Sequence, residues 1–73
     1  MSKLTIISSD DMVKILYRLG FSMLRQKGSH KFFIHKDGRT TTVPCHNDDL
    51  GRGLIRKILK DIKISAEEYE DLR

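Results

Sequence analysis

His30-Lys31-Phe32-Phe33-Ile34-His35-Lys36-Asp37-Gly38-Arg39-Thr40-Thr41-Thr42-Val43-Pro44 is the stretch of this chain that decides its fold. Residues 30–35 and 40–43 are rich in aromatic and β-branched side chains, the composition of strands. Asp37-Gly38 between them is a two-residue hairpin signal, because both residues tolerate the positive φ such a turn needs. Pro44 ends the second run. A two-residue turn sets Phe32 opposite Val43 and Lys31 opposite Pro44, so that His46 falls just beyond His30. One step upstream, residues 21–26 alternate loosely and Lys27-Gly28-Ser29 break the pattern, adding a further strand.

Helices flank this sheet on both sides in sequence. Ser8 and Asp11 form a capping box, Met12, Ile15, Leu16 and Leu19 make one apolar face, and Gly20 is placed to stop the helix in a left-handed conformation. That predicts a helix over 9–19. Downstream, Asp48-Asp49 reads as the capping signal of a second helix. Its Leu54, Ile55, Ile58, Leu59 and Ile62 fall at helical spacing, while Arg52, Arg56, Lys57 and Lys60 fill the opposite face. Ser65 and Glu68 form another capping box, opening a short acidic helix through Tyr69 and Leu72. The order α-β-β-β-α plus a short terminal helix predicts an α+β sandwich: a three-stranded antiparallel sheet with the helices on one face and the other face left to solvent or ligand.

The chain has 73 residues, which predicts one domain over 1–73. A chain of that size buries only about 60% of its unfolded surface, leaving no room for a deep enclosed pocket or a large cofactor. Its single cysteine, Cys45, excludes an internal disulfide and favours a reducing compartment. The apolar run near the N-terminus is too short for a signal peptide, and no stretch approaches the roughly 20 apolar residues of a membrane span. A cytoplasmic protein with no membrane partner is expected. Charge is uneven: residues 21–60 carry nine basic and three acidic groups, against a net +4 for the whole chain. Such a block is the footprint of a polyanion-binding surface, with a merely solvated basic face as the alternative.

His30 follows Gly28-Ser29 and is flanked by Lys27 and Lys31. A glycine there lets backbone approach a phosphate, the serine hydroxyl can donate to anionic oxygens, the lysines supply charge, and an imidazole can move a proton near neutral pH. A structural or incidental histidine is the competing reading. His46 is a second candidate for proton transfer or phosphate binding, or else a solvated loop residue, and His35, beside Lys36, reads as surface. No paired ligand spacing supports a zinc site, and Asp48-Asp49 is the only acidic pair near the basic block, so no metal is expected. Of Phe32 and Phe33, adjacent on a strand, one must face the core and at most one is available to stack on a base.

Leu19-Gly20-Phe21, Gln26-Lys27-Gly28-Ser29-His30, Asp37-Gly38-Arg39, Val43-Pro44-Cys45-His46, Gly53 through Lys60 and Ser65-Ala66-Glu67-Glu68-Tyr69 together resemble, in order and spacing, the HicA (YcfA-like) toxin family. The resemblance covers nearly the whole chain. It departs from the family pattern at Leu54, where many members carry Thr, and at Cys45, where a basic residue is common. The resemblance implies a double-stranded-RNA-binding-like fold and a metal-independent endoribonuclease, an mRNA interferase, that needs no cofactor. It further implies His30 as the catalytic residue, with Gly28, Ser29 and the neighbouring lysines in the site, and a cognate HicB-like antitoxin covering it. RNA contacts are expected from Arg25, Lys27, Gly28, Ser29, Lys31, His46 and Arg56, and the antitoxin is expected to be acidic. The alternative is a non-catalytic RNA-binding module of the same fold.

Overall fold

Ser8 Oγ accepts the Asp11 N–H at 3.1 Å and starts α1 (Ser9–Arg18) where its sequence predicts, with this one bond in place of the reciprocal pair of the expected capping box. At the other end Phe21 N–H donates to Leu16 and Gly20 N–H to Tyr17, with Gly20 at φ 95°. This paired closure satisfies the last carbonyls and folds Phe21 back beside Leu16 in the core. The computed structural model describes residues 4–45 and 49–73. After α1 come β1 (Ser22–Lys27), β2 (His30–Ile34), β3 (Thr40–Pro44), α2 (Arg52–Ile62) and α3 (Ala66–Leu72), the expected α+β order. No helix among the described residues is long and apolar enough to cross a membrane.

The strands form one antiparallel sheet in the order β1-β2-β3. Its β2–β3 register differs from the two-residue-turn expectation by one residue: Lys31 stands opposite Val43, Phe32 opposite Thr42 and His30 opposite Pro44. The cause lies in the turn. His35 N–H donates to the Arg39 carbonyl and Gly38 N–H to the His35 carbonyl, with Gly38 at φ 99°. The loop therefore holds three residues, 36–38, closed by a left-handed glycine. A second irregularity sits between β1 and β2, where Met23 pairs with Phe33 but Arg25 pairs with Phe32. Leu24 is the extra residue of a β-bulge and is 59% exposed.

Strand alternation gives the two faces different fates. Phe33, Thr41 and Val43 are buried beneath α1 and α2: the Tyr17 ring meets Phe33 edge-on at 5.8 Å, and Thr41 Oγ1 donates to Asp61 at 3.1 Å. Met12, Ile15 and Leu16 from α1 and Ile55, Ile58, Leu59 and Ile62 from α2 complete this core. Among the described residues the opposite face carries no helix. Gly51 is the residue that caps the start of α2, and it makes no side-chain capping bond. Asp49 does not cap it but bridges back to Ser8, and Asp48 lies outside the described residues. α3 starts with the predicted capping box, Ser65 and Glu68 exchanging bonds of 3.1 Å. It is then tied down at the chain's other end. Glu70 takes both the N–H and the hydroxyl of Thr5 at 3.0 Å, and the buried Tyr69 donates its hydroxyl to the Thr5 carbonyl.

His35 corrects the surface reading. Its side chain is only 14% exposed and its ring packs edge-on against Phe21 at 5.1 Å. Two residues beyond the buried Phe33, the ring falls on the covered face of the sheet and lies beside Gly20 at the end of α1.

Candidate functional site

A two-residue loop, Gly28-Ser29, joins β1 to β2, with Lys27 directly across the ladder from His30. Gly28 has φ 59°, and a Cβ built on it would meet nothing within 4 Å, so the loop juts into open space. Positive φ at the first central residue is what a tight hairpin with the twist of its strands requires. The loop is also anchored: Cys45 N–H donates to the Ser29 carbonyl, clamping its far side to the end of β3. His30 thus leaves the sheet from a position fixed by two strands, Lys27 on one side and Pro44 on the other.

The bulge at Leu24 decides what surrounds His30. Because it inserts one residue, every side chain of β1 beyond it switches face. Arg25 and Lys27 consequently share the helix-free face with His30 and Phe32, whereas an unbroken ladder would have put Leu24 and Gln26 there. The Arg25 guanidinium lies over the Phe32 ring, 4.7 Å from its centroid. No carboxylate among the described residues pairs with Arg25, Lys27 or Lys31. The result is an open, cationic strip with an imidazole at one end, a shape that suits an extended anionic polymer.

Other expected residues fall elsewhere. Lys31 alternates to the opposite face, in line with Phe33 and Val43, so it flanks His30 in sequence but not on the sheet surface. Arg56 lies exposed on α2, whose apolar side packs on the covered face, and is not gathered with the others. His46 lies outside the described residues. Phe33 is fully buried and Phe32 half-buried, so of this pair only Phe32 is available to a ligand. Among the described residues no group of three His, Cys, Asp or Glu side chains comes together as a metal-ligand set. The pairing of Arg25 with Phe32 escaped the sequence reading, because nothing local in residues 22–27 marks where a bulge will form.

The far end of the sheet is held differently. Asp37 accepts from the Arg39 N–H at 3.0 Å and from its Nε at 2.8 Å, and those bonds hold the carboxyl well below its usual range, at about 2. Arg39 also donates to the Ile62 carbonyl and lies over the Phe21 ring at 5.2 Å. Glu70 is likewise lowered, first by the Thr5 N–H.

No curated protein matches the chain. A family model does, over residues 9–64, which run from the first residue of α1 to just past α2 and take in the whole sheet. That span is most of the chain and contains the loop, His30 and the helix-free face, so this protein belongs to the HicA toxins of bacterial toxin-antitoxin systems.

Proposed function

We propose that the chain is the toxin of a toxin-antitoxin pair acting in the cytoplasm as a metal-independent endoribonuclease on mRNA, with His30 as its catalytic residue. The observation that carries this reading is the exposed His30 on the helix-free face, beside Lys27 and next to the anchored Gly28-Ser29 loop. His30 takes the proton of a ribose 2′-hydroxyl. That oxygen attacks the adjacent phosphorus, forming a 2′,3′-cyclic phosphate, and the 5′-oxygen leaves with a proton from a second donor. Lys27 offsets the charge that develops on the phosphoryl oxygens, and Arg25 holds the chain of phosphates along the strip. His46 and a lysine are the candidates for the second donor.

The partner that restrains such an activity is an acidic HicB-like antitoxin seated over His30, Lys27 and Arg25. Charge complementarity makes its association fast and salt-sensitive, and it competes with RNA for the same face.

The decisive experiment is incubation of the pure protein with RNA in EDTA. Fragments ending in a 2′,3′-cyclic phosphate, absent with His30→Ala, are expected. Salt-dependent RNA binding with no fragments would replace this reading with that of a non-catalytic RNA-binding module.

A further inference from the structure

Two side chains on the helix-free face have no role in proton transfer. Phe32 follows His30 by two residues on β2, so the two side chains stand on one face about 6.7 Å apart, comparable with the length of one extended nucleotide. Arg25, directly across the ladder from Phe32, lays its guanidinium over that ring. Arg25 is exposed and Phe32 half-buried, and the bulge at Leu24 is what brings them to the same face. A planar cation layered on an aromatic ring offers a surface on which any nucleobase can stack, since every base has a π-face.

We infer that Arg25 and Phe32 form a base-stacking subsite one nucleotide away from the scissile phosphate, and that the substrate is single-stranded RNA. The inference rests on the reading of His30 as the residue beside the cleaved bond. A duplex keeps its bases stacked inside and offers only backbone and minor-groove edges, so it cannot deliver a base to a flat sheet. An A-form strand also holds its 2′-hydroxyl out of line with the 5′-oxygen. Splaying one base onto Phe32 and Arg25 fixes the neighbouring nucleotide and leaves its sugar-phosphate free to reach the in-line arrangement over His30.

The test is equilibrium binding in a His30→Ala background, where RNA stays uncut. The probes are a mixed-sequence single strand, the same strand annealed to its complement, and an abasic ribose-phosphate oligomer of equal length. The single strand should bind about tenfold or more tighter than either of the others. Phe32→Leu should remove about tenfold of that preference without changing affinity for the abasic oligomer. Arg25→Lys, at an exposed position that tolerates change, should remove several-fold while leaving the salt slope unaltered, because charge is kept and only the planar stack is lost. Equal affinity for the single strand and the abasic oligomer, tighter binding of the duplex, or unchanged affinity in Phe32→Leu and Arg25→Lys would overturn the subsite. Cleavage by the wild-type protein in EDTA is scored separately. If it is absent while the stacking preference holds, the catalytic reading fails and the single-strand subsite stands.

Discussion

The two ends of the central strand β2 are built by opposite strategies. At the His35 end, a three-residue loop spends its polar groups on itself: Asp37 is held by Arg39, Arg39 reaches the end of α2, and the His35 ring is packed against Phe21. At the His30 end the loop is shorter, its glycine faces open space, and its neighbouring cations have no carboxylate partner among the described residues. Both ends belong to hairpins of one sheet. The difference is that one end pairs its charges internally while the other leaves its cations without a carboxylate partner among the described residues, its loop held by bonds from Cys45 to Ser29 and from Gln26 to Gly28.

The largest expected effect sharpens that division. His30→Ala should lower RNA cleavage by at least about 100-fold, the low end of what a positioned acid or base supplies, while leaving thermal unfolding unchanged. A folded His30→Ala variant that still cleaves RNA would break the comparison at once.

The two loop glycines come next. Gly38→Ala, at φ 99°, should cost about 1–2 kcal/mol of stability in urea unfolding, with cleavage per folded molecule unchanged. Gly28→Ala should cost no more stability than that, yet reduce cleavage about tenfold, because relaxing φ 59° shifts the backbone that aims His30. Equal loss of cleavage in both would mean the two ends are not independent.

A smaller effect concerns charge. Lys27→Ala should reduce the log–log salt dependence of single-strand binding by about 0.7, the contribution of one phosphate contact. Lys36→Ala, at the opposite end of β2, should leave the slope where it is.

The smallest effect is in acid. A carboxylate whose folded value is depressed contributes stability that is present above its unfolded value and lost as pH falls through the folded one. For Asp37 that window runs from the ordinary 3.8 down to about 2. Urea midpoints measured between pH 5 and pH 2 should therefore fall less steeply for Asp37→Asn than for the wild-type protein, with RNA binding at neutral pH unaffected.

The same contrast explains what could be read in advance. Helix starts at Ser8 and Ser65 and the stop at Gly20 depend on side chains within a few residues, and all three appear as expected. The apolar face of α2 and the prominence of the Gly28-Ser29-His30 run were legible for the same reason. The β2–β3 register was not, because Asp37-Gly38 serves a two-residue turn and a three-residue turn equally well. His35 reads as surface beside Lys36, although it follows the buried Phe33 by two residues and strand alternation carries it to the same covered face.

The sequence by itself determined the order of elements, which faces of the helices are apolar, that one of Phe32 and Phe33 must be buried, and where a basic block flanks His30. Only the tertiary structure decided which cations share a surface with that histidine. Lys31, adjacent in sequence, is turned to the other face, while Arg25 and Lys27 are brought across by the bulge at Leu24. The physical reason is the two-residue period of a strand: a single inserted residue exchanges the faces of everything beyond it. Whether one is inserted depends on how β1 pairs with β2 over Phe33 and the core, not on any residue of β1 alone.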